Sequence, residues 1–592
     1  MTTTSNASTA PTGAAPPTIS AHVDRFVIDR LPLPAQCAQT RYDSPELQMG
    51  NYANVVVALL DQAVSSKGWA DKPLLRSAHI TLSYADTLAR VNRIAQVLTE
   101  DLRLVPGNRV LLRGGNSIGM ALAWLAVVKA GLVAVATMPL LRAKELGEII
   151  DKAQPSVALC DYRLLDELES AQQHMPTAAA STASTASTTA TTATIGATHH
   201  PLHTIITFNQ LDNPNGLAAR AAQKSGVFTA CATLADDPAM MAFTSGTTGK
   251  PKAAVHTHRD ILAACEAWPR HVLQAKPSDI VVGSPPLAFT FGLGGLLIFP
   301  MWAGCSVYFP DAPYTPESMV DTINAVGGTI CYTAPTFYRQ MAAFAQVKGL
   351  PTLRTSVSAG EGLPDATRVL WHEATGLHML DGIGATELFH IFISSAGVEA
   401  AAQRGTLNHL GLPGTPIGKV VPGYLAKVVD DDGTELPRGT AGKLAVIGPT
   451  SCKYLDDARQ DNYVKNGWNY PGDAFLQDEA GYFFYQARAD DMIISAGYNI
   501  GGPEVEDCLL KHPAVAECGV VGQPDDERGM IVKAVCVLRT GFDGNAAMVR
   551  TLQDHVKIHL APYKYPRHIE FVTSLPRTET GKLQRFKLRQ TV

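Results

Sequence analysis

From Arg109 onward the chain alternates short β-branched runs with stretches of helical period: RVLLRGG, SIGMALAWLAVVKAG, LVAVATMPLL, AKELGEIIDKAQ, SVALCD. No other feature restricts the fold as much. Parallel strands cannot be joined by a tight turn, so each crossover needs a dozen or more residues, and a helix is the usual solution. The alternation predicts βαβ units around parallel sheet. It resumes through HTIITF, AMMAFTS, DIVVGSPP, ESMVDTINAVG, TICYTAP and RTSVSAGE to LHMLDGIGATE. Loops of distinctive composition follow these runs, at the carboxyl ends of strands where open α/β sheets place ligands.

The expected fold class is α/β: a large N-terminal domain, 23–488, of parallel sheets flanked by helices, and a small mobile α+β domain, 489–592. Residues 176–198, PTAAASTASTASTTATTATIGAT, bury too little apolar surface to offset ordering entropy and are expected to form a solvated insert. From 411 to 488 turn-rich strands such as AKVVDDDGTELPRGTAGKLAVIG predict a β-rich subdomain. Residues 1–22 lack a basic n-region and an apolar h-region, so a disordered tail is expected rather than a signal or anchor. The uncharged run from Leu287 to Phe309 is long enough to span a bilayer, but its glycines and Pro300 favour buried strand, loop and helix pieces.

A formal net charge of -5 with no dense Lys/Arg run gives no reason to expect nucleic acid. Ten cysteines without a CxxC pair read as reduced thiols in a cytoplasmic protein, with structural zinc not expected. His256 and His258 form an H-x-H pair, and His555 and His559 sit at i, i+4 on an expected helix. With no HExxH glutamate and no third ligand apparent, both pairs read as solvated or packed histidines.

The loop TSGTTGKPK, Thr244 to Lys252, holds hydroxyls, free amides and two lysines directly after an apolar run. Such a turn can surround phosphate oxygens. It is not a Walker loop, since Lys250 is followed by Pro251 and not by Ser or Thr. A mobile surface loop is the alternative on these residues alone.

TSGTTGKPK resembles the signature of the adenylate-forming superfamily of acyl-CoA synthetases, luciferases and adenylation domains. Further matches follow in that superfamily's order: SAGE at 358–361, DGIGATE at 381–387, PGD at 471–473, RADD at 488–491 and PRTETGKLQR at 576–585. The resemblance implies an ATP site of Thr244, Ser245, Gly246, Thr247, Thr248 and Lys250 for the phosphates. Ala359, Gly360, Glu361, Asp381, Gly382 and Ile383 would take the adenine side, and Asp473 and Arg488 the ribose. It implies Thr386 as an α-phosphate contact, Glu387 as the Mg²⁺ ligand, Lys582 as the catalytic lysine and Asp490 as a hinge. Ile383 stands where many members carry an aromatic residue, and Ala253 where a glycine is common.

Longer stretches, GSPPLAFTFGLGGLLIFP and DGIGATELFHIFISS among them, resemble benzoate-type aryl-CoA ligases, most nearly those acting on 2-aminobenzoate. The resemblance implies an acyl and pantetheine channel with Phe289, Gly292, Thr333, Ala334, Pro335 and His390. For His390, a partnered structural histidine remains an equal alternative to a substrate contact. The implied reaction activates an aromatic acid, 2-aminobenzoate or benzoate, as acyl-AMP and transfers it to coenzyme A. Adenylation of another small acid, or delivery to a carrier protein, remains open. The implied partners are ATP, Mg²⁺, coenzyme A and a small aromatic acid, with no nucleic acid or membrane, for a monomer or homodimer.

Overall fold

A computed structural model of the chain describes residues 19–173, 202, 204–210, 212–244, 251–395, 415–488, 491–495, 498–525, 528–560, 562–577 and 583–590. Residues 1–18 of the expected tail and all of the 176–198 insert lie outside that set. The last residues of the expected tail are held: Ala21 donates its N–H to Asp237 Oδ2 at 3.1 Å, and His22 is buried.

The alternating segments form two sheets. One has six strands in the order Ile205–Phe208, Val157–Asp161, Arg109–Arg113, Val133–Thr137, Pro238–Thr244, Lys252–Thr257. All its pairs are parallel except the last. The other has nine strands around a parallel centre of Leu380–Gly384, Thr355–Ser358, Ile330–Thr333, Ile280–Gly283, Ser306–Tyr308 and Pro73–Arg76. One core joins the two sheets through the helix Ile118–Lys129. That helix starts where Ser117 accepts the N–H of Met120, and every residue from Met120 to Lys129 is buried, which an almost uncharged sequence permits.

Residues 425–488 contribute a six-stranded antiparallel sheet. Beyond it, Val515–Asp525 pairs with Gly529–Leu538, flanked by the helices Gly502–Leu510 and Ala546–His559, as the pattern predicts. The hairpin of Ile493–Ser495 with Tyr498–Ile500 and the strand His568–Phe571 escape sequence reading, because three- or four-residue runs carry too little periodicity.

The Leu287–Phe309 run divides into helix, loop and strand pieces, as expected. Thr290–Leu293, a π-helical turn Gly294–Ile298 and Phe299–Ala303 follow one another as a helical run that holds Gly292, Gly294 and Gly295, Gly304 ends it at φ +78°, and a strand follows at Ser306–Tyr308. The wide turn lets Pro300 enter near the start of a new helical segment, where a missing N–H costs little. Among the described residues, no helix is long and apolar enough to cross a membrane.

Candidate active site

Register places four strand ends side by side, with Gly283 opposite Tyr332, Thr333 opposite Ser358, and Ser358 opposite Asp381. The loops leaving them, Ser284–Phe289, Thr333–Pro335, Ala359–Glu361 and Gly382–Glu387, therefore emerge together, and the expected residues in them converge. Thr333 Oγ1 lies 2.6 Å from Ser284 Oγ. Pro335 opens the helix Pro335–Lys348, whose Thr336 hydroxyl donates to Glu361 Oε2 at 3.0 Å. Gly360 has φ +93°, a value that disfavours a side chain. Asn116, following a strand of the other sheet, holds the 284–289 loop: it accepts from Leu287 N at 2.8 Å and donates to Pro285 O at 2.9 Å. A Cβ on Gly292 would fall 2.1 Å from the Pro286 carbonyl oxygen, so only glycine fits beside Phe289 there.

Thr386 and Glu387 sit in a single 3-10 turn that ends in strained backbone. Phe389 has φ +69° and ψ −52°, and the N–H of His390 donates to Leu388 O at 2.9 Å, closing a three-residue γ-turn of the costly positive-φ kind. The Glu387 carboxylate is buried and held by Tyr454, whose hydroxyl donates to Oε1 at 2.5 Å. That hydroxyl accepts from Lys252 Nζ at 2.8 Å, and the same ammonium lies 3.7 Å from the carboxylate. Burial, then the neighbouring carboxylate, drives the Tyr454 hydroxyl far above its ordinary pKa, so it stays a donor. His256 Nε2–H donates to Thr386 O at 2.8 Å, and burial lowers its pKa to about 4. His258 instead accepts the N–H of Val55, so this pair is packed rather than chelating. Tyr454 is distant in sequence, and no motif spacing points to it.

His390 is enclosed by rings. Phe299 lies edge-on at 4.5 Å between centroids, with Trp268 at 5.4 Å and Phe291 at 5.7 Å. Among the described residues, neither imidazole nitrogen has a hydrogen-bond partner, and Trp268 Nε1 and the Tyr332 hydroxyl are equally buried and unpartnered. Burial lowers the His390 pKa to about 3. Unsatisfied buried polar groups are rare because each costs about 1–3 kcal/mol. Their clustering places several polar atoms inside one packed group of aromatic rings. The glycines of the 290–303 run admit these rings: a Cβ on Gly294 would lie 2.6 Å from His390 Cδ2, and one on Gly295 2.7 Å from the Tyr332 ring.

Asp473 and Arg488 are cross-strand partners, with Arg488 Nη1 3.2 Å from Asp473 Oδ1 and 2.9 Å from Pro471 O. Gly472, at φ +83°, leaves room for that guanidinium. Tyr485 packs beside Gly362, between the 359–362 loop and Asp473, and sequence reading does not single it out. Asp381, expected on the nucleotide side, has its carboxylate engaged by Arg368 and by the N–H of Gly382 at 2.9 Å. Burial raises its pKa despite the guanidinium, and it anchors the strand end that carries the half-buried Ile383. Thr244 ends its strand opposite Lys252, its Oγ1 buried and without a partner among the described residues. Ser245, Gly246, Thr247, Thr248, Lys250, Asp490 and Lys582 lie outside the described residues. Arg577 and Leu583, on either side of the segment holding Lys582, form an antiparallel bridge. Arg577 reaches across to Thr336 Oγ1 at 3.5 Å and Glu361 at 3.7 Å.

The chain matches the AMP-binding enzyme family over residues 61–454 and the AMP-binding enzyme C-terminal domain over 504–582. It is 34% identical over 512 residues to benzoate–CoA ligase of Thauera aromatica, covering 86% of this chain and 90% of that one. Among solved structures, the anthranilate CoA ligase AuaEII in complex with anthranoyl-AMP aligns with TM-score 0.81 at 31% identity, over 92% of this chain and 98% of that one. A benzoate CoA ligase from Burkholderia xenovorans LB400 aligns with TM-score 0.77 at 26% identity, over 91% of this chain and 100% of that one.

Proposed function

The chain belongs to the AMP-binding enzyme family, and on that premise we propose that it is an ATP-dependent aryl-CoA ligase acting on 2-aminobenzoate or benzoate. The observation that carries the aryl reading is the aromatic cluster of His390, Trp268 and Tyr332, whose buried polar atoms lack partners among the described residues, close in sequence and fold to Glu387. The carboxylate oxygen attacks the α-phosphorus of ATP and releases pyrophosphate. The thiol sulfur of coenzyme A then attacks the acyl carbon and expels AMP. Two anions meet in the first step, so positive charge placed between them is the largest contribution a protein can make. Lys582 takes that role, Thr386 binds the α-phosphate, and the segment Thr244, Ser245, Gly246, Thr247, Thr248 and Lys250 holds the outer phosphates. The reach of Arg577 to Glu361 supports this reading, since it brings the ends of the Lys582 segment to the adenine-side loop.

Glu387 fits Mg²⁺: it is a buried hard-oxygen donor, and Mg²⁺ is commonly held by one or two carboxylates together with substrate phosphates. When bound with ATP the ion neutralises phosphate charge. Lys252 and Tyr454 aim the carboxylate, His256 fixes the Thr386 carbonyl, and Asp473 with Arg488 holds the ribose. The aryl group packs against the ring cluster, with neutral His390 able to accept from an ortho amine.

A panel of carboxylic acids with ATP, Mg²⁺ and coenzyme A, scored by AMP release, tests the reading. 2-Aminobenzoate, benzoate and small-substituted benzoates should lead, with thioester forming on free coenzyme A. A preference for long-chain fatty acids rejects the aryl assignment while leaving the ligase reaction.

A further inference from the structure

Away from this site, the structure completes a cluster that sequence spacing leaves with two members. Cys508 lies on the helix Gly502–Leu510, and His555 and His559 one turn apart on Ala546–His559. One ligand atom from each of the three lies within 4.8 Å of the others. We propose that Cys508, His555 and His559 form a binding site for a zinc-class divalent ion that ties the two helices of the small domain together.

The hydrogen bonds around the histidines favour it. His555 Nε2–H donates to the Cys508 carbonyl at 3.0 Å, leaving Nδ1 unprotonated in the neutral ring. His559 Nδ1–H donates to the His555 carbonyl at 2.7 Å, leaving its Nε2 unprotonated. Backbone acceptors that fix the tautomer and orientation of a histidine are the usual outer support of a metal ligand. A thiolate with two imidazoles is a soft donor set suited to zinc or cobalt and poorly suited to Mg²⁺. Cys508 is buried, and the ion takes its thiolate by displacing the thiol proton to solvent. His559 is exposed and gives the ion its way in. The nearby His512 accepts from Ala514 N through Nδ1, which leaves the fourth position to water. Asp507, beside Cys508 on the same helix, accepts the N–H of Ala366 at 3.0 Å, so the site stiffens the helix that touches the large lobe.

Co²⁺ titration of the full-length, tag-free protein without nucleotide tests this. One equivalent should produce a thiolate-to-cobalt charge-transfer band with the visible intensity of a four-coordinate ion, and Zn²⁺ should displace it. Cys508→Ala should abolish the band. His559→Gln, at an exposed position where folding is not at stake, should weaken binding tenfold or more, about the loss that even an outer-sphere partner's removal brings. No band in the wild-type protein, an undiminished band in Cys508→Ala, or unchanged affinity in His559→Gln overturns the site.

Discussion

Removing the Tyr454 hydroxyl isolates what the chain from Lys252 through Tyr454 to Glu387 does. A hydrogen bond to a charged group contributes about 1.5–3 kcal/mol, so Tyr454→Phe should lower kcat/KM for ATP in pyrophosphate exchange by about tenfold or more. The KM for the aromatic acid should hardly move, and an unaltered ATP dependence would contradict the positioning role. DGIGATE points to Thr386 and Glu387, but nothing in it points to Tyr454, since that partner is set by how two sheets meet. His256 and His390 give a second test. Burial holds them at about 4 and about 3. In the unfolded chain they titrate near the ordinary value of about 6.5. Between those values the unfolded chain binds the extra protons, so their stability contribution is complete above pH ~6.5 and shrinks as pH falls, by about 1.4 kcal/mol per histidine per pH unit. His390→Leu should therefore lose less of its urea midpoint than the wild-type protein between about pH 7 and about pH 5. Parallel losses would mean that His390 is not held neutral.

At the scale of elements, the 290–303 helical run and the γ-turn at Phe389 set the surroundings of His390 together. The run brings Gly294 against His390, and the turn sends Glu387 and His390 out of the chain three residues apart. Gly294→Ala would drive a methyl into the imidazole, and overpacking of this kind costs about 1–3 kcal/mol. The expected result is a higher KM for the aromatic acid with the KM for ATP preserved, partly recovered in the double variant Gly294→Ala/His390→Ala. Equal damage to both KM values would show a general disturbance of the fold. Glycine content suggests a broken segment, and Gly304 does end the helical run, whereas a π-helical turn absorbs Gly294 and Gly295 while neighbouring rings supply the packing they lack.

For the whole molecule, the proposed chemistry needs the Lys582 segment at the site for adenylation and away from it for thiol attack. Asp490→Pro, at the expected hinge, should reduce thioester formation from preformed acyl-AMP far more than pyrophosphate exchange, and matched losses would point to misfolding instead. The βαβ order, the strand-end loops and the helix and long strands of the small lobe are all legible in the chain. They depend on periodicity, turn chemistry and crossover length, which are local or nearly so. The pairing of Asp473 with Arg488 is legible in part, because both flank one short hairpin. Lys252 and Tyr454 around Glu387, the rings around His390, and Cys508 beside His555 and His559 belong to the tertiary structure alone. Each joins residues from separate elements, and which elements meet is decided by sheet order and core packing, where distant side chains compete for the same space and no local pattern selects the partner.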